Sequence, residues 1–310
     1  MLVEEELARL APEKDTVLTI GVFDGVHLGH KHLISQVVAT AKKRGLLSGV
    51  VTFRRHPQEL LAPKSRLPFL TDLEERVGLL ENEGVDIVAP LSFTDELARL
   101  SAPQFISLLY KHLRMRGLVV GPDFALGRNR EGDAAALRQL GQQMGFSVDV
   151  VSPMKINGEV VSSTAIRKAI AAGNMQKVER LAGRPFSLHG RVVAGAGRGT
   201  DLGFPTANLN VDSEQALPTD GVYASWGHVD GKAYKSMTNV GTDPTFNGGK
   251  RTVEVYVIDF QGDIYGHELK VDIVQRLRDE RKFDTVAALK EQMAEDVVQG
   301  KAILSSEGGK

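Results

Sequence analysis

The sequence predicts two folding units of different class: an N-terminal α/β unit built as a doubly wound parallel sheet, and a C-terminal small antiparallel β-barrel closed by a helix. Three observations predict them. At 310 residues the chain exceeds what one hydrophobic core usually organises. As far as residue 151, apolar runs of strand length alternate with amphipathic stretches of helix length. In the C-terminal part the apolar period falls to two, and glycine-rich turns separate short runs.

In chain order, strands are expected at 17–20, 49–53, 87–90, 118–120 and 148–151, with helices at 30–44, 73–83, 102–114 and 134–144 between them. Two short helical stretches, 165–171 and 174–181, lead to Gly183-Arg184-Pro185, where glycine and proline punctuate the chain. The expected domains are therefore 1–183 and 184–310. The barrel strands are expected at 188–194, 222–228, 233–240, 252–259 and 269–277, with Asp230-Gly231 as a tight hairpin turn and a closing helix at 285–299. The tail from Ser305 has the look of low-complexity sequence.

Hydrophobic and charged fractions of 42% and 25% are those of an ordinary globular protein. Lys plus Arg (38) nearly balance Asp plus Glu (39), so no overall field holds the chain on nucleic acid or an anionic membrane, and phosphate binding has to be local. Without cysteine there is neither a disulfide framework nor a thiolate for zinc or nucleophilic catalysis, which fits a reducing cytoplasm. The start MLVEEELARL lacks a basic n-region, and no stretch approaches 18 apolar residues, so neither an export signal nor a membrane span is expected.

The first strand runs into Gly21-Val22-Phe23-Asp24-Gly25-Val26-His27-Leu28-Gly29-His30, and a helix follows at once. That junction puts His27 and His30 at the carboxyl end of a strand, where open α/β sheets bind ligands. Glycines let backbone approach a nucleotide, a helix N-terminus favours negative charge, and two imidazoles on one helical face can hold phosphate oxygens as charge builds at an α-phosphate. A metal pair or two incidental histidines are the alternatives, but a zinc site would want further ligands, and the sequence offers no cysteine and no His-Glu-x-x-His spacing. Val161-Ser162-Ser163-Thr164-Ala165-Ile166-Arg167 is a second strand end entering a helix. Its hydroxyls and Arg167 suit phosphate oxygens; a plain helix cap with a surface arginine is the competing reading.

In the C-terminal part, residues 195–208 combine glycines 195, 197, 199 and 203 with Pro205-Thr206-Ala207-Asn208. This is no Walker A loop, yet such a turn can wrap phosphates, and Thr206 and Asn208 offer the oxygen ligands Mg²⁺ prefers. A barrel turn without a ligand is the alternative. Glu254 sits in the otherwise apolar run Val253 to Ile258; on a strand it points with Tyr256, away from Val253, Val255 and Val257. It is either a rim glutamate paired with a cation such as Arg251 or a general base.

GVFDGVHLGH, VTFRRHPQE, VVGPDFALG and SSTAIR, in this order, resemble the Rossmann-like nucleotidyltransferase module of the prokaryotic bifunctional riboflavin kinase and FAD synthetase family. LGFPTAN, TNVG, DPTF, VEVY and LRDERKF resemble its riboflavin kinase module. The resemblance runs from about Thr16 to about Gln299. It implies a cytoplasmic enzyme that phosphorylates riboflavin to FMN in its second part and adenylylates FMN to FAD, releasing pyrophosphate, in its first. ATP with Mg²⁺ serves both steps. In the first part it implies His27, His30 and Arg167 as catalytic, Gly21, Phe23, Asp24, Gly29, Asp123, Ser163 and Thr164 against ATP, and Phe53, His56 and Pro57 near the flavin. In the barrel it implies six strands, Gly195, Gly197, Gly203 and Thr206 on ATP, Thr206 and Asn208 on the metal, Asn239, Arg278 and Glu280 on the flavin, and Glu254 as base toward the ribityl hydroxyl. Arg54, Arg55 and Ala125-Leu126 depart from the family pattern and bear on FMN affinity. Loss of the N-terminal activity, or flavin storage without chemistry, are the competing functions.

Overall fold

The computed structural model describes residues 2–62, 64, 67–195, 199, 202–242 and 251–307. The chain separates into two compact units, Met1–Ser163 and Thr164–Lys310.

In the first unit, strands β1 (Thr16–Ile20), β2 (Leu47–Phe53), β3 (Ile87–Leu91), β4 (Met115–Val120) and β7 (Ser147–Val150) form one sheet in the order β3-β2-β1-β4-β7, every neighbouring pair parallel. Two-residue pairs, β5 (Ala125–Leu126) with β6 (Gly132–Asp133) and β8 (Lys155–Ile156) with β9 (Glu159–Val160), lie outside it. The chain leaves β1 for β2 on one side and later returns to β4 on the other, so the switch point lies at the carboxyl ends of β1 and β4. This is the doubly wound layout the alternating pattern predicts. Every residue of β1 is buried. The helix Leu28–Arg44 begins at His27 and stops at Gly45 (φ 67°), with Lys42, Lys43 and Arg44 in its last turn, favourable toward the helix dipole. A first helix, Leu2–Ala8, was not expected from the sequence; Val3 and Leu7, four apart, are buried against the main core.

The second unit contains a closed barrel, β10-β11-β14-β13-β12-β15, antiparallel throughout. The strands are β10 (Phe186–Val193), β11 (Ala207–Val211), β12 (Gly221–Val229), β13 (Lys232–Thr242), β14 (Arg251–Val257) and β15 (Glu268–Arg278). Periodicity alone predicted five of them; β11 is the addition, hidden because it begins inside the glycine-rich run. Asp230 and Gly231 adopt φ 49° and 76°, the left-handed pair of a type I′ hairpin. The closing helix, Val286–Glu307, extends beyond the expected end at 299. Gly300 lies so close to Met237 that a Cβ there would come within 2.1 Å of its Cε, and Leu304 is fully buried with Ala224, Met237, Ile258 and Val274. That burial outweighs the roughly 1 kcal/mol that glycine costs a helix interior.

The helix Met175–Ala182 buries Met175, Val178, Leu181 and Ala182 and packs on β10 and β15, and Gln176 donates to Gln275 at 3.1 Å. A fragment starting at Thr164 should therefore fold, and should melt well above one starting at Arg184. Burial of each of Met175, Val178 and Leu181 is worth about 1.5–3 kcal/mol. Equal melting temperatures for the two fragments would show that the helix adds nothing to the barrel.

Candidate active sites

Beyond β1 the chain stays tied to β2: Gly21 N–H donates to the Val51 carbonyl at 3.0 Å, and Thr52 Oγ1 donates to the Val22 carbonyl at 2.9 Å. Phe23, Gly25 and Val26 then take positive φ values of 53°, 82° and 33°. For the β-branched Val26 this is a strained conformation, of the sort that gathers at functional sites. His27 is the N-cap of the helix rather than a helical residue; its Nδ1 accepts the His30 N–H at 3.2 Å, which fixes Nε2 as the donor edge of the neutral ring. The two imidazoles stack with centroids 3.6 Å apart and 16° between planes, and the edge of Phe23 meets His30 at 5.1 Å. Gly29 makes room for this: a Cβ there would lie 3.0 Å from the Val161 carbonyl and 3.1 Å from the His27 ring. Ser163 Oγ donates to the Asp24 carbonyl at 2.8 Å, so the structure brings the start of the second motif onto the first loop. Thr164, exposed, and Arg167, half-buried, follow on the helix Ser163–Ala171 and belong to the other compact unit.

Other residues expected at this site carry local structure. The Asp24 carboxylate, 4% exposed, accepts the Leu70 N–H at 2.9 Å and the Thr71 N–H at 3.1 Å. The segment leading into the expected helix Leu73–Glu81 is thereby pinned to the His27 loop, a tie the sequence does not show. Phe53 is buried edge-on to Phe93, His56 caps the short helix Pro57–Leu61 by accepting the Gln58 N–H, and Pro57 occupies its first position. Arg54 pairs with Glu6 at 3.4 Å while Arg55 is exposed, so one of the two added charges already has a carboxylate beside it. Asp123 is exposed in the loop after β4, and its carbonyl accepts from Arg130 at 2.9 Å. Ala125 and Leu126 form the rungs of the β5–β6 pair.

In the barrel, cross-strand register assembles the second site. Glu254 lies directly opposite Asn208 on β11 and directly opposite Asn239 on β13. Val253, Val255 and Val257 are buried while Glu254 and Tyr256 are half-buried, as the alternation requires. Thr206 Oγ1 stands 3.5 Å from Glu254 Oε2, and Phe204 meets Tyr256 edge-on at 5.5 Å. A Cβ on Gly195 would come within 1.8 Å of Asn208 Nδ2 but 3.1 Å of Oδ1, so the amide turns its nitrogen toward Gly195 and a larger residue there would displace the Asn208 side chain. Hydroxyl, amide oxygen and carboxylate are hard donors that fit Mg²⁺. Among the described residues, no group of three His, Cys, Asp or Glu forms a ready-made metal cage, so a nucleotide's phosphates would have to complete the coordination. Arg251, the cation suggested as a rim partner for Glu254, instead pairs with Asp220 at 2.6 Å. Arg278 is held by Asp296 at 2.7 Å, and Glu280, exposed, lies against Gly241, where a Cβ would meet its Oε1 at 2.4 Å. Gly203 has φ 85°. Gly197 and residues 243–246 lie outside the described residues.

Residues 10–165 match the FAD synthetase family and residues 182–304 the riboflavin kinase family. A bifunctional riboflavin kinase/FMN adenylyltransferase of Escherichia coli K12 is 40% identical over 92% of each chain, and one of Pseudomonas fluorescens is 38% identical over 96% of each. A solved structure from Streptococcus pneumoniae, described as a macrolide-efflux protein, superposes with a TM-score of 0.88 at 31% identity over 97% of each chain. Among the described residues, no helix is long and apolar enough to cross a membrane. A doubly wound sheet of FAD synthetase type joined to a closed riboflavin kinase barrel defines a two-domain transferase of flavin nucleotides. The chain belongs to the bifunctional riboflavin kinase/FMN adenylyltransferase family.

Proposed function

We propose that the chain makes FMN and then FAD at two separate sites, with the functional limits 1–183 for adenylyl transfer and 184–310 for riboflavin phosphorylation. The observation that carries the reading is the single rung Asn208–Glu254–Asn239 with Thr206 beside it. Glu254 takes the proton of the ribityl 5′-hydroxyl as its oxygen bonds the γ-phosphorus of ATP and the bond to the departing ADP breaks. Thr206 and Asn208 would hold Mg²⁺, which supplies neutralisation of the phosphate charge. Gly195, Gly197 and Gly203 border the nucleotide. Asn239, Arg278 and Glu280 border the flavin, the last two through the frame they build with Asp296 and Gly241.

At the first site an FMN phosphate oxygen attacks the α-phosphorus of ATP and pyrophosphate leaves, so no protein nucleophile is needed. His27 and His30, with Ser163, Thr164 and Arg167 in the second motif, stabilise the developing phosphate charge. Gly21, Phe23, Asp24 and Gly29 shape the loop, Asp123 faces the nucleotide across the switch point, and Phe53, His56 and Pro57 border the flavin. The balanced charge and the lack of cysteine support a cytoplasmic enzyme acting on small molecules, without nucleic acid or membrane as a partner. The test is to incubate the intact protein with riboflavin, ATP and Mg²⁺ and to separate the flavins formed.

A further inference from the structure

Arg76 lies in none of the motifs assigned above, yet it is only 4% exposed. Its Nη2 donates to the Phe53 carbonyl at 2.6 Å and to the Arg54 carbonyl at 3.3 Å, at the end of β2, while its buried Nε has no hydrogen-bond partner among the described residues. Burial lowers its pKa from the ordinary value, and the charges of Asp24 and Asp72 act in the opposite direction. Its helix, Leu73–Glu81, is fixed to the histidine loop from both ends. Asp24 holds Leu70 and Thr71 just before it, and Leu80 packs with Phe23, Val26 and Ile34. A guanidinium is desolvated here to grip two backbone carbonyls just before His56 and Pro57. A simple core position would be served as well by an apolar side chain.

We propose that Arg76 is a positioning residue for adenylyl transfer: it holds the end of β2, and through it the His56–Pro57 corner, in register with His27 and His30, and so sets the affinity for the flavin substrate. The inference rests on the reading that FMN lies along residues 53–57. Arg76→Lys keeps the charge but replaces the planar fork by a compact ammonium. A charged hydrogen bond is worth enough that the KM for FMN should rise about tenfold. The KM for ATP and riboflavin phosphorylation by the barrel should stay at parental values, which also reports that the variant is folded. Arg76→Met should raise the FMN KM further; if it does not fold, the lysine variant decides. An unchanged FMN KM in the lysine variant, or equal rises in both KM values, overturns the inference while a parental chain that forms FAD leaves the functional reading standing. A parental chain that makes no FAD from FMN and ATP overturns both.

Discussion

Glu254→Gln is expected to lower FMN formation from riboflavin by about 10²–10⁴-fold, the usual worth of a general base, while FAD formation from supplied FMN continues at the parental rate. Glutamine keeps the shape of the side chain between Asn208 and Asn239 and removes its basicity. The substitution should cost little stability. The neighbouring cation, Arg251, draws its support from Asp220 and the Pro218 carbonyl, and the strand's buried face is carried by Val253, Val255 and Val257. Steady-state rates with each flavin measure both halves of the prediction. Riboflavin phosphorylated at the parental rate would return Glu254 to a structural role on the barrel's outer face.

His30→Ala is expected to reduce FAD formation about a hundredfold, since a preorganised donor to a developing phosphate charge is worth roughly 3 kcal/mol. FMN formation should be unaffected. Alanine also removes the ring stacked on His27 and met by Phe23, so a looser loop offers a competing explanation. His30→Phe separates the two: it preserves the aromatic stack and removes both ring nitrogens. If phenylalanine restores FAD synthesis, His30 serves packing and not charge stabilisation.

Much of this was legible from local sequence. The strand–glycine–helix junction at residues 21–30 is contiguous, and its physics of caps, glycines and helix N-termini acts over a few residues. Glu254 stood out because a single carboxylate interrupts an apolar period of two. What escaped the sequence depends on partners far along the chain. The Asp24 carboxylate accepts from Leu70 and Thr71, 46 and 47 residues on, a tie that its motif does not show. Arg76, unremarkable in LEERVG, becomes significant only when the fold carries it to Phe53. Nor does the motif around Arg278 show that Asp296 of the closing helix holds its guanidinium. Strand β11 was concealed because a run rich in glycine and proline suppresses the period-two signal, although Ala207, Leu209 and Val211 alternate as a strand requires.

One chain is proposed to carry two consecutive ATP-dependent transfers at two sites. Separating the flavins formed by the intact protein, from riboflavin in one reaction and from supplied FMN in another, tests it most directly. FMN followed by FAD is expected in the first reaction and FAD in the second, with ATP and Mg²⁺ required in both. Riboflavin recovered unchanged, or FMN that accumulates and is never converted to FAD from either starting point, would contradict it.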